Sequence, residues 1–97
     1  MIIYEVNIKI NRSLYKEYIN WLDLHIKLIL RNDAFIKSEK FLCNKTETSI
    51  YISVHYFVSS IEKLNYYIKH ESQEMRDEGI QKFPSGIVIK KRILESL

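Results

Sequence analysis

Residues 2–10 read IIYEVNIKI and residues 50–58 read IYISVHYFV, and these two stretches decide the fold. In the first, Ile2, Tyr4, Val6, Ile8 and Ile10 alternate with Ile3, Glu5, Asn7 and Lys9. In the second, Ile50, Ile52, Val54, Tyr56 and Val58 alternate with Tyr51, Ser53, His55 and Phe57. A period of two marks a strand with one buried face, because successive side chains leave a pleated backbone on opposite sides. Downstream of the first strand, Asn11-Arg12-Ser13 breaks the alternation, and Ser13 is the expected helix cap. Leu14 to Leu30 then repeats at spacings of three and four. Leu14, Tyr18, Trp21, His25 and Leu28 form one row, and Tyr15, Ile19, Leu22, Ile26 and Ile29 form its neighbour. Two apolar rows are wider than one sheet contact needs, so something besides the sheet is expected against this helix.

Phe35 to Leu42 reads as a more polar strand, in which Phe35, Lys37, Glu39 and Phe41 alternate with Ile36, Ser38, Lys40 and Leu42. Charge of that kind suits a sheet edge. Asn44 to Ser49 is the hairpin loop. Ser59-Ser60-Ile61-Glu62 has capping-box spacing and opens a second helix, expected from Ser60 to about Lys82, with Ile61, Leu64, Ile68, Met75 and Gly79 on its inner stripe. Pro84-Ser85-Gly86 ends it, and Ile87 to Leu94 is the last strand. The order βαββαβ is a repeated split βαβ unit, which predicts an α+β, ferredoxin-like, four-stranded antiparallel sheet with two helices on one face. Right-handed crossovers put strands one and three in the centre. The opposite face then carries Glu5, Asn7, Tyr51, Ser53, His55 and Phe57.

The 97 residues are expected to form one domain, 1–97. Fifteen basic against twelve acidic residues give a net charge of +3, too mild to imply nucleic acid alone. One cysteine, Cys43, excludes a disulfide within the chain and any cysteine-based zinc site. The opening segment has no apolar run of signal-peptide length, and the most apolar helical stretch, Trp21 to Leu30, is too short and too charged to cross a membrane. A cytoplasmic location without membrane contact is the expectation.

Several segments resemble the family called domain of unknown function 4286. They are the opening MIIYEV, Trp21 with His25-Ile26, Ile50 to Tyr56, Met75-Arg76-Asp77-Glu78-Gly79 with Phe83 four residues later, and the closing Leu94-Glu95. The likeness spans nearly the whole chain and keeps the order of the elements. One departure is Lys27, where the family has proline after its His-Ile pair. The resemblance implies a ferredoxin-like domain related to dimeric α/β barrels, and it brings no catalytic residues with it.

His55 is the most informative single residue. The register should set Glu5 or Asn7 beside it, where it serves either as a general base or as a hydrogen-bonded residue of a dimer interface. His25 lies on the apolar row of the first helix and reads as a core or interface histidine before a ligand. His70 and Glu74 share the spacing of a metal pair without a third ligand, so no metal is expected. Cys43 has no neighbouring base, which argues against a nucleophile. Lys90-Lys91-Arg92 with outward Tyr51 and Phe57 raises RNA binding on the sheet, yet the third strand has no glycine and Glu5 would repel phosphate. Asn7, Trp21 and His70 supply the residue types of haem-degrading barrels, with the tryptophan in the wrong element.

These readings converge on a homodimer that is either non-catalytic or binds a small molecule, with no cofactor. Ile3, Tyr51 and Phe57 are its expected interface, since a monomer would leave them on an open sheet. The alternative is a cofactor-independent oxygenase or isomerase, with its pocket between helices and sheet and His55 or His25 as the working group. An RNA-binding sheet is the second alternative.

Overall fold

The computed structural model describes all residues, Met1–Leu97. Its elements are β1 (Ile2–Asn11), a 3-10 turn (Arg12–Leu14), α1 (Tyr15–Ile29), β2 (Phe35–Lys45), β3 (Ser49–Val58), α2 (Ile61–His70), α3 (Ser72–Lys82) and β4 (Ile87–Glu95). The sheet is antiparallel in the order β2-β3-β1-β4, with the two alternating strands at its centre. This is the ferredoxin-like α+β fold that the alternation implies, with three helices on one face rather than two.

The buried set follows the periodicity. Tyr4, Ile8 and Ile10 of β1 and Ile50, Ile52, Val54, Tyr56 and Val58 of β3 face the helices, which return Tyr18, Leu22, Ile26 and Ile29 from α1 and Leu64 and Tyr67 from α2. Burying each such side chain stabilises the fold by roughly 1.5–3 kcal/mol. Tyr67, Tyr4, Tyr56 and Phe35 meet as one aromatic cluster, Phe35 lying 5.0 Å from Tyr67 and 5.3 Å from Tyr56 between ring centroids.

The local chemistry departs from the sequence reading at four places. At the start of the first helical segment the cap is Asn11, whose Oδ1 accepts from the Ser13 backbone at 3.0 Å, rather than Ser13. The second helix is capped by Ser60, which accepts from Lys63. Ser59 instead donates to the Asp33 carbonyl at 2.7 Å, tying the start of that helix to the loop before β2. In β2 a bulge at Ile36 reverses the phase, so that Phe35 faces the core opposite Val58 while Lys37, Glu39 and Phe41 face outward. The long helix expected from Ser60 to Lys82 breaks at Glu71 into α2 and α3. There the Ser72 hydroxyl donates to the Ile68 carbonyl at 2.6 Å, a back-bond that bends helices, and Asn32 holds the Glu71 carboxylate.

The break lets α3 close on α1. A Cβ at Gly79 would stand 3.2 Å from Trp21 Cη2, so glycine there permits the close approach. At Gly86, φ is +85°, and Asn11 donates to its carbonyl at 2.8 Å, fixing the turn that feeds β4 into the sheet beside β1.

Candidate functional site

The register sorts the chemistry-bearing side chains onto two faces. On the outer face one row crosses all four strands: Arg92, Glu5, His55 and Glu39. Glu5 is 5% exposed and its carboxylate accepts from Arg92 Nε at 2.5 Å, Asn7 Nδ2 at 2.8 Å and His55 Nε2 at 2.8 Å. The Arg92 hydrogen bond, followed by that from Asn7, holds the Glu5 carboxyl below the usual carboxylate range. Because Glu5 is ionised, His55 Nε2 carries the proton and donates. Glu5, Asn7 and His55 are therefore brought together, but each is already occupied by the others.

His25 lies on the opposite side of the sheet. Its ring stacks on Trp21 at 4.5 Å and 19°, and its Nδ1 is buried with no hydrogen-bonding partner. Burial, then the charge of Lys91, pushes its pKa below the ordinary histidine value, which makes it a neutral imidazole at physiological pH. Together with Trp21 it lines a cavity of about 490 Å³ between α1, α3 and the inner side of the sheet. That size falls in the roughly 300–1,000 Å³ range of small-molecule pockets. Most of the lining is apolar or aromatic. Burial pushes the phenols of Tyr4, Tyr56 and Tyr67 up, and that of Tyr18 up to about 12, so all four are neutral hydroxyls at physiological pH. The cavity opens along β4, whose inward-facing Ile89 and Ile93 stay 46% and 45% exposed because the helices sit over β1 and β3.

Two residues of this cavity escape the sequence reading, Arg76 and Lys91. The signal for Lys91 was present in the alternation. Ile87, Ile89, Lys91 and Ile93 share one face of β4, opposite Ile10, Ile8, Val6 and Tyr4, so Lys91 points inward and only Lys90 and Arg92 face out. Lys90-Lys91-Arg92 is thus not one basic patch. For Arg76 no comparable signal exists, since exposed arginines are common on helices.

The remaining candidates are scattered. His70 ends α2, its ring tilted against Tyr66 at 4.4 Å between centroids, and the break at Glu71 puts Glu74 on a different helix. No three His, Cys, Asp or Glu side chains cluster as metal ligands would. Trp21 and Asn7 lie on opposite sides of the sheet, so the three haem-type residues do not meet. Ile3, Tyr51 and Phe57 face outward but are half-buried within the chain, partly because the Lys37 ammonium lies 4.6 Å from the Phe57 ring and that of Lys9 lies 5.8 Å from Tyr51. The more exposed apolar side chains of that face are Phe41 and Val88, at 44% and 52%. Beside them lies a shallower, more open depression lined by Asn7, Lys9, Cys43, Tyr51, Val88 and Lys90.

The whole chain, residues 1–97, matches the family described as a domain of unknown function (DUF4286), and the protein belongs to that family. No curated protein matches it in sequence. Among solved structures it is similar to a mutant of SnoaB, a cofactor-independent oxygenase from Streptomyces nogalater, with a TM-score of 0.67 at 6% identity over 98% of this chain and 92% of that one. A candidate monooxygenase from Shewanella loihica PV-4 aligns with a TM-score of 0.63 at 10% identity over 99% of this chain and 94% of that one. The de novo designed protein Foldit4 aligns nearly as well, with a TM-score of 0.65 at 12% identity over 99% of this chain and 98% of that one. The likeness therefore carries the fold and not an activity. No helix is long and apolar enough to cross a membrane.

Proposed function

We propose that this protein is a cytoplasmic homodimer that binds a small organic molecule in the cavity between its helices and its sheet. The observation that carries the reading is the cavity itself: an aromatic-walled space of about 490 Å³ with the His25 imidazole on its wall. Small-molecule sites are concave, mostly apolar spaces of this size with a few polar groups on the wall. The cytoplasm fits an exposed free thiol, Cys43, which stays reduced there. Native mass spectrometry of the purified protein tests the binding. A co-purified molecule lost in His25→Leu is expected; a clean apo mass, with no stabilisation by any small aromatic or aliphatic ligand, removes the reading.

The dimer rests on the outer face. Ile3, Tyr51 and Phe57, with the more exposed Phe41 and Val88, form its apolar part, and the Ser53 hydroxyl is buried there without a partner. A two-fold pairing of these faces would cover the apolar groups and leave the Glu5 row at the seam. Light scattering at micromolar concentration should give twice the chain mass of 11.7 kDa. Phe57→Glu should shift it to monomer by burying an unpaired carboxylate. A monomer mass for the wild type removes the homodimer. Nucleic acid is not the partner in this reading, because Glu5 stands on the central strand β1 and Glu39 on the edge strand β2 of the face where a phosphate backbone would lie.

A second reading, a cofactor-independent oxygenase, is favoured by one feature: the neutral His25 imidazole in the cavity can accept a proton from an acidic substrate position. Oxygen uptake with activated aromatic substrates, abolished by His25→Ala, distinguishes it from simple binding.

A further inference from the structure

Of the residues that line the cavity, only Arg76 and Lys91 carry a fixed charge, and both are positive. The ion pairs of the chain use other residues: Glu5 with Arg92 and His55, Glu39 with Lys37, Asp23 with Lys40 and Asp33 with Lys63. Arg76 meets only the Gln73 amide oxygen, at 3.5 Å, and the Lys91 ammonium lies 6.0 Å from the Tyr4 ring centroid. Arg76 and Lys91 line the same cavity, and Lys91 is held below the ordinary lysine value by burial first and by the Arg76 charge second. Two like charges held at the edge of an apolar space repel, and neither forms an ion pair within the chain. An anion between them would offset that repulsion.

We propose that the cavity binds an aromatic carboxylic acid, its ring system among the tyrosines and Trp21 and its carboxylate between Arg76 and Lys91. The inference rests on the small-molecule reading above and adds the class of ligand. Tyr4, Tyr18, Trp21, Tyr56, Tyr67 and Phe83 all contribute to the walls, and aromatic walls accept flat rings in offset or edge-on contacts that a flexible chain cannot make. The arginine fork matches the planar geometry of a carboxylate, and the lysine adds a second donor. His25, a neutral imidazole on the same wall, adds polarity without further charge.

Trp21 is the only tryptophan and lines the cavity, so its fluorescence reports occupancy directly. The wild type is titrated with naphthoate, with naphthamide, which has the same rings without the charge, and with laurate, and each constant is checked by calorimetry. Naphthoate should bind about tenfold more tightly than naphthamide, the effect of a charge-assisted hydrogen bond. Lys91→Met and Arg76→Gln, both at exposed positions, should each weaken naphthoate by about tenfold and leave naphthamide unchanged. Equal binding of the acid and the amide overturns the proposal while the cavity reading stands. Laurate binding more tightly than naphthoate also overturns it, by replacing rings with a chain. If no ligand changes the Trp21 signal or gives heat, the cavity reading falls with it.

Discussion

On the outer face of the sheet, Glu5 is surrounded by donors from Asn7, His55 and Arg92, and the row of charges crosses all four strands. On the inner face, beneath Trp21, His25 Nδ1 meets no donor or acceptor, and Arg76 and Lys91 meet no carboxylate. The two groups of ionisable residues thus differ in saturation: the Glu5 carboxylate has its donors, whereas Arg76 and Lys91 have no carboxylate. A buried carboxylate with its hydrogen bonds filled has little left to offer a ligand and contributes to stability and to pairing of surfaces. An unfilled imidazole beside two unpaired cations lowers stability in the free protein and has something to gain from a ligand. Binding sites are found where the fold leaves such groups unsatisfied.

That contrast predicts opposite signs for the same kind of substitution. The largest effect should come from Glu5→Leu, which removes three hydrogen bonds to a charged group and leaves Asn7 and His55 half-buried without their acceptor; a loss of about 2 kcal/mol in urea unfolding is expected. His25→Leu deletes an atom that has no partner. Removing an unsatisfied polar group is worth about 1–3 kcal/mol, offset by about 0.5–1.5 kcal/mol for the lost ring stacking on Trp21. The balance runs from a loss of about 0.5 kcal/mol to a gain of about 2.5 kcal/mol, centred on about 1 kcal/mol of added stability. A loss of about 2 kcal/mol at His25 as well would break the contrast and make that histidine structural.

The smallest effects lie in the pH profile, and they separate the two faces by window. A carboxyl held below its ordinary value stabilises the fold at any pH above the unfolded-chain value near 4.5, and that contribution is lost as the pH falls through the lower folded value. For a histidine held below its ordinary 6.5, the unfolded chain takes the proton first, so stability declines as the pH drops from about 6.5 toward the folded value. Glu5→Gln should therefore flatten the profile only below about 4.5, and His25→Leu only in the window beginning near 6.5. Unfolding midpoints measured across both windows check this. Coincident changes in a single window would mean that the two groups are coupled through the sheet.

The sites were legible to different depths. His55 beside Glu5 follows from counting along two alternating strands, because antiparallel register and period two place them directly opposite. The inward turn of Lys91 was available from the same alternation on β4, yet a run of three basic residues reads first as a patch. His25 was visible as a polar residue on an apolar row; that its Nδ1 lacks a partner was not, because its neighbours come from distant parts of the chain. The helix break at Glu71 and the bulge at Ile36 hid for a similar reason. Each is set by a contact across the fold, Asn32 on Glu71 and the aromatic cluster around Phe35, rather than by local preference.

The order of elements, the central pair of strands and the residues that face the helices can all be read from the chain alone. Those follow from side-chain direction along a single strand or helix, a property of a few consecutive residues. That α3 closes on α1 at Gly79, that the inner side of β4 stays uncovered, and that Trp21, His25, Arg76 and Lys91 border one cavity follow from how the folded elements pack. A cavity is the volume that packed elements fail to fill. It depends on how helices and sheet settle against each other over long sequence separations, and no local periodicity encodes it.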